Sequence, residues 1–103
     1  MKVRVLSPAI DEITEAALWF ESKRVGLGGE FWRLTDEVLR QIERHPSQFA
    51  KSDYATDVLE IRFAVISRFQ YVIHFLVESE EVQIISVAHG GRRPGYWLRR
   101  IRN

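Results

Sequence analysis

The chain has 103 residues, 46% of them hydrophobic, with no cysteine and a formal net charge of +1. That is enough for one domain, 1–103, with a real but modest core, and it excludes disulfides, a thiolate nucleophile and thiolate metal sites. No apolar run approaches the roughly 20 residues that span a bilayer, and MKVRVLSPAIDEI is too acidic and too soon interrupted for a signal peptide, so a soluble, cytoplasmic protein is expected.

Residues 2–6, KVRVL, alternate polar and apolar and predict a short strand. Ser7-Pro8 then reads as a cap followed by proline at the first helical position. Asp11 and Glu12 sit early, where they favour the helix dipole. Ile10, Ile13, Ala17 and Phe20 recur at helical spacing, so a first helix is expected over about 8–23. Gly26, Gly28 and Gly29 break it. A second helix carries Phe31, Leu34, Val38 and Ile42 on one stripe, with Arg33–Glu37 and Asp36–Arg40 pairs on the other side, and stops before Pro46. The short glycine turn implies an antiparallel helical hairpin.

Residues 47–57 read as a loop. VLEIRFAVI (58–66), FQYVIHFLV (69–77) and VQIISVAH (82–89) are three β-rich runs with short connections, which predicts an antiparallel meander. In the first, Leu59, Ile61, Phe63 and Val65 form a dry face against Glu60, Arg62 and Ala64. The second is apolar on both faces, as a central strand would be, and the N-terminal strand is expected at the edge. The fold class is α+β, ordered β-α-α-β-β-β, with the helical hairpin packed on the sheet and a short last helix from about Pro94.

Charge is uneven. Residues 90–103 hold Arg92, Arg93, Arg99, Arg100 and Arg102 and no acid, which leaves the rest of the chain at −4. A basic end on a faintly acidic body suggests a local electrostatic footprint; the bland alternative is an arginine tail kept for solubility.

Taken in order, these residues resemble the RelE/ParE toxins of type II toxin–antitoxin systems. Ala9, Ala16, Trp19-Phe20-Glu21 and Gly26-Leu27-Gly28 resemble that family's first helix and turn. Arg62 stands on a strand where such toxins often carry an arginine. Phe69-Gln70-Tyr71 resembles the family's Phe-Pro-Tyr, with Gln in place of Pro. His89-x-x-Arg92-x-Pro94-x-x-Trp97 resembles the closing motif of the ParE-like, plasmid-stabilising branch. The resemblance implies a toxin held inactive by a cognate antitoxin, with no cofactor. It implies either inhibition of DNA gyrase, as reported for ParE-like members, or ribosome-dependent cutting of messenger RNA, as in RelE-like members. A non-toxic remnant that only binds antitoxin is a third expectation. Whether the chain is an enzyme stays open, since the loop after the second helix offers only Lys51 toward the RelE basic set.

The candidate residues follow. Arg62 either pairs with Glu60 or holds a phosphate through its planar guanidinium; in a ribonuclease it would stabilise the transition state electrostatically. His89, ahead of two glycines, either bonds backbone at the strand end or serves as general acid or base. Arg92 and Tyr96 complete the catalytic set expected of a ribonuclease, with Tyr96 passing a proton. Arg62, Arg92, Arg93, Trp97, Arg99 and Arg100 form the set expected to bind nucleic acid or the protein target, with an aromatic stacking on a splayed base. Trp97 alternatively packs the C-terminal turn onto the sheet. His74 reads as a core histidine, His45 as a neighbour of a helix C-terminus, and Phe69 and Tyr71 as core. The scattered histidines predict no metal site, and the glycines no phosphate loop.

Overall fold

The computed structural model describes residues 1–101, so Arg102 of the basic run lies outside the described residues. Strand β1 is Lys2–Val5, α1 is Ser7–Lys23, α2 is Leu27–Arg44, β2 is Glu60–Ile66, β3 is Tyr71–Val77 and β4 is Glu81–His89. Short 3-10 turns at Pro46–Gln48 and Leu98–Arg100 complete the elements, so the expected last helix is a single turn. The strands lie in the order β1-β4-β3-β2. β2, β3 and β4 form the antiparallel meander, and β1 joins its edge in parallel to β4, which makes the sheet mixed.

The first helix begins differently from its predicted cap. Leu6 is the N-cap, with no side-chain cap, and its carbonyl accepts from Ala9 at 2.9 Å and Ile10 at 3.0 Å. Pro8 sits in the first turn, where its missing N–H removes a donor that has no partner anyway. The buried stripe is Ala9, Ile13, Ala16 and Ala17, with Phe20 behind it; Ile10 is 46% exposed. The alanines let α2 come close. At Gly28 an added Cβ would stand 2.4 Å from the Ala17 carbonyl oxygen, so only glycine fits there. The turn is fixed by Gly26, at φ +90, and by Glu21, whose carboxylate accepts from the Gly26 N–H at 2.9 Å and the Gly28 N–H at 3.0 Å. A carboxylate at the start of α2 also meets that helix's positive end. On the outer face of α2, Arg33–Glu37 and Arg40–Asp36 pair at 2.8 Å, as their spacing predicts.

The sheet has two dry sides, and this changes the reading of β2. The helices cover one face, where Ala64, Ile66, Ile73, Phe75, Val82, Ile84 and Val87 meet the hairpin. The C-terminal segment covers part of the other, where Trp97 closes over Ile61, Leu76 and Ile85. The predicted dry face of β2 therefore survives only in part: Ile61 is buried in the smaller cluster, but Val65 is 51% exposed because that cluster does not reach it. A register shift between His74 and Phe75 leaves Ile85 as an extra residue in β4 and changes the parity of that strand, so that Ile84 and Val87, three residues apart, both meet the helices, as a bulge does. Gln70, in the β2–β3 turn, has φ +57. Proline cannot take that angle, so Gln in place of Pro goes with this turn.

Candidate binding surface at the C-terminal arginines

The basic run has an acid after all, and it comes from α1. Glu12 is only 11% exposed in its side chain and lies beneath the C-terminal segment. One carboxylate oxygen accepts from the Val87 N–H at 2.9 Å and from Arg100 Nη1 at 3.0 Å. The other accepts from the Tyr96 hydroxyl, and from Arg100 Nη2 at 3.2 Å. Arg100 also donates to the Ile85 carbonyl at 3.1 Å. Arg92 approaches the same carboxylate at 3.6 Å and lays its guanidinium 3.9 Å from the Tyr96 ring centre. A charged carboxylate this dry is stable because several donors point at it. Spacing in the sequence placed Glu12 near a helix start and gave no sign of this role, since its partners lie 75 to 88 residues away.

Tyr96 is raised to about 12, first by burial and then by its hydrogen bond to Glu12, with Arg92 and Arg100 opposing. Its proton is therefore held at neutral pH, which works against the relay role. His89 ends β4, exposed, with Nδ1 accepting from the Gly91 N–H at 3.1 Å and its ring edge-on to Tyr71. It bonds local backbone, as the bland reading of the residue had it.

Arg62 is elsewhere. Its Nε donates to Glu60 at 2.7 Å and its Nη1 to the Phe49 carbonyl, and its side chain is 14% exposed. It pairs across β3 with Phe75, whereas His89 pairs with Tyr71. Those positions are four residues apart on β3, about 13 Å along the strand alone. The structure thus brings His89, Arg92 and Tyr96 to one end of the sheet and leaves Arg62 at another, held by the acid beside it.

Trp97 is 2% exposed and stacks on the His74 ring at 4.3 Å, so it anchors the C-terminal turn and presents no free face to a base. Burial pushes His74 down to about 4, so it is neutral at physiological pH. Arg93 and Arg99 are exposed, and Arg92 is 54% exposed in its side chain. Arg93 and Arg99 give the surface its free positive charge, and Arg92 adds a guanidinium shared with Glu12. Beside them a cavity of about 180 Å³ opens between the end of the sheet and the 92–97 segment, lined among others by His74, Ser86, Trp97, Arg92 and Arg93.

No family model matches the chain, and no curated protein matches it. Among solved structures, it is similar to a chain of the chromosomal ParDE TA system from P. aeruginosa. The two are 14% identical, the match covers 86% of this chain and 95% of that one, and the TM-score is 0.60. At that identity the likeness shows the fold: the ParE-like arrangement of a helical hairpin on a four-stranded sheet.

Proposed function

We propose that this chain is the toxin of a toxin–antitoxin pair, ParE-like in action, which arrests growth by binding its target and not by cutting RNA. The single observation that carries the second half is the dispersal of the ribonuclease set. Arg62 is paired with Glu60 at 2.7 Å on a different part of the sheet, and the Tyr96 proton is held by Glu12. General acid–base work on a phosphodiester needs its groups within reach of one reacting centre. The arginines are then a docking surface, with Arg92, Arg93 and Arg99 meeting an acidic target and steering its approach. DNA gyrase is the target that this reading names, and the cytoplasm the compartment.

The shared fold with a ParDE chain supports an antitoxin as partner. So does the hairpin, which leaves Leu18 at 67%, Trp19 at 55%, Val25 at 91% and Trp32 at 43% exposure. Several large apolar side chains exposed on one hairpin are consistent with a surface that a partner covers. An antitoxin segment that orders on binding would fit that requirement.

The test is induction of the folded protein without antitoxin, with two assays on purified material. Growth should stop, gyrase supercoiling should fall at micromolar protein, and messenger RNA should stay intact in a purified translation system. Codon-phased, ribosome-dependent cuts lost in Arg62→Ala and His89→Ala variants would replace this reading with a RelE-like one. Unimpaired growth at high soluble expression would leave only an antitoxin-binding remnant.

A further inference from the structure

The outward face of α1 carries a pattern that the fold itself does not use. Ala9, Ile13, Ala16 and Ala17 are buried, and on the opposite side Asp11, Glu15, Leu18 and Ser22 stand exposed at spacings of four, three and four. That alternation is the seam one helix offers to another. Leu18 sits in its middle at 67% exposure, with Trp19 beside it at 55%. Ser22 donates its hydroxyl to the Trp19 carbonyl at 2.6 Å, so it brings no unbonded donor to the seam.

Charge runs along this face in order. Asp11 and Glu15 lie in the first half of the helix, Lys23 and Arg24 at its end. All four are exposed, and none has an ion-pair partner among the described residues. On α2, by contrast, Arg33–Glu37 and Arg40–Asp36 pair along their own helix. Lys23 lies 4.8 Å from the centre of the Trp19 ring, which holds its ammonium on the same side as the seam. The helix dipole favours acids first and bases last, but it asks for no leucine and tryptophan between them.

An occupant of this face must be apolar at its centre, basic where α1 begins and acidic where α1 ends. A second α1 laid antiparallel has that order. Each acidic half then faces the basic end of the other copy, and Leu18 and Trp19 meet across a two-fold axis. A parallel pair would set acid on acid. Such self-complementarity is what an isologous contact requires, because both subunits present the same patch. The two free carboxylates disfavour a nucleic acid or an anionic lipid surface. A helix of 17 residues is about 25 Å long, so the contact is small and the association weak and concentration-dependent.

We infer that this chain forms a two-fold homodimer through α1, antiparallel about Leu18, with Asp11 and Glu15 of each copy against Lys23 and Arg24 of the other. This goes beyond the toxin reading and does not require it; an antitoxin that covers Leu18 and Trp19 would compete with the dimer.

The test is sedimentation velocity of the full chain over a range of concentrations. The protein should pass from monomer to dimer with a Kd on the order of 10 µM. Leu18→Asp should leave it monomeric. Glu15→Lys alone and Lys23→Glu alone each turn two attractions into two repulsions, so each should dimerise about tenfold more weakly. An equimolar mixture of these two variants should recover the wild-type affinity, because in the mixed dimer every facing pair is again of opposite sign. The substituted side chains are all exposed, and circular dichroism of each variant checks that the fold is kept; the charge variants carry the test if Leu18→Asp does not fold. A monomer at all concentrations up to about 1 mM, a dimer indifferent to Leu18→Asp, or a mixture that associates no better than its components would each overturn the inference. Growth arrest on induction without antitoxin is read separately, so the toxin proposal and this one fail independently.

Discussion

Glu12 shows how much one side chain can organise. Glu12→Ala strips the acceptor from the Val87 N–H, the Tyr96 hydroxyl and Arg100, whose side chain is 15% exposed. Removing one member of a buried ion pair leaves the other charge stranded, so urea denaturation should show a loss of about 3 kcal/mol. Hydrogen exchange in residues 96–101 should rise by more than in the helices. His74 gives a pH signature. In the unfolded chain it takes a proton near 6.5, but in the fold only near 4. Between those values the unfolded state binds more protons, so stability falls as pH drops from 6.5 to 4 and is unaffected by this group above that window. The loss should reach about 2 kcal/mol, discounted for the ring's partial access to water. His74→Phe, which keeps the stack on Trp97, should flatten that part of the stability–pH curve; an unchanged slope would assign it to other groups. Of the candidate site, the sequence made the arginines, His89 and the anchoring role of Trp97 legible, because each needs only a residue type and a strand end. It hid Glu12, whose role comes from partners on β4 and the C-terminal segment.

At the scale of elements, the helical hairpin separates two glycines with opposite needs. Gly28→Ala forces a Cβ onto the Ala17 carbonyl oxygen, a backbone atom that cannot swing away, and should cost about 2 kcal/mol. Gly29→Ala, one residue on, meets nothing within 4 Å and should stabilise the helix by about 0.5 kcal/mol. Thermal melts of the two variants check this, and equal behaviour would mean that the helices do not approach as closely as described. Element order and type were readable because hydrophobic periods of 3.6 and 2 residues are strong in these segments. The parity of β2 was not. Apolar residues occupy both of its faces, so alternation alone does not say which face the helices cover, and the answer depends on how far the C-terminal segment extends.

For the whole molecule, the smaller cluster under Trp97 decides whether the C-terminal segment belongs to the fold or trails from it. Trp97 is 2% exposed and packs with Ile61, Leu76 and Ile85. Trp97→Ala should cost about 4 kcal/mol, and limited proteolysis should then cut first among residues 90–98. Proteolysis spread evenly over the chain would mean that the segment is not a separate unit of stability. The sequence foretold a hairpin on a sheet and offered Trp97 as a plug for the C-terminal turn; it did not foretell which strand residues lie beneath that plug, since a lone Trp near a basic end carries little pattern.

The parallel pairing of β1 with β4 has a consequence in time. Lys2 finds its partner at Glu81 and Val5 at Ile84, so the first strand made must wait for nearly the last. A chain leaving the ribosome can form its hairpin early, because those contacts are local, but the closing ladder has a high sequence separation and forms slowly. Until residue 84 has emerged, the stripes of α1 and α2 have no complete sheet to cover them. The nascent chain therefore passes through a stage with exposed apolar helices and neither the arginine surface nor its Glu12 anchor assembled, and it acquires both together only after Arg100 has emerged.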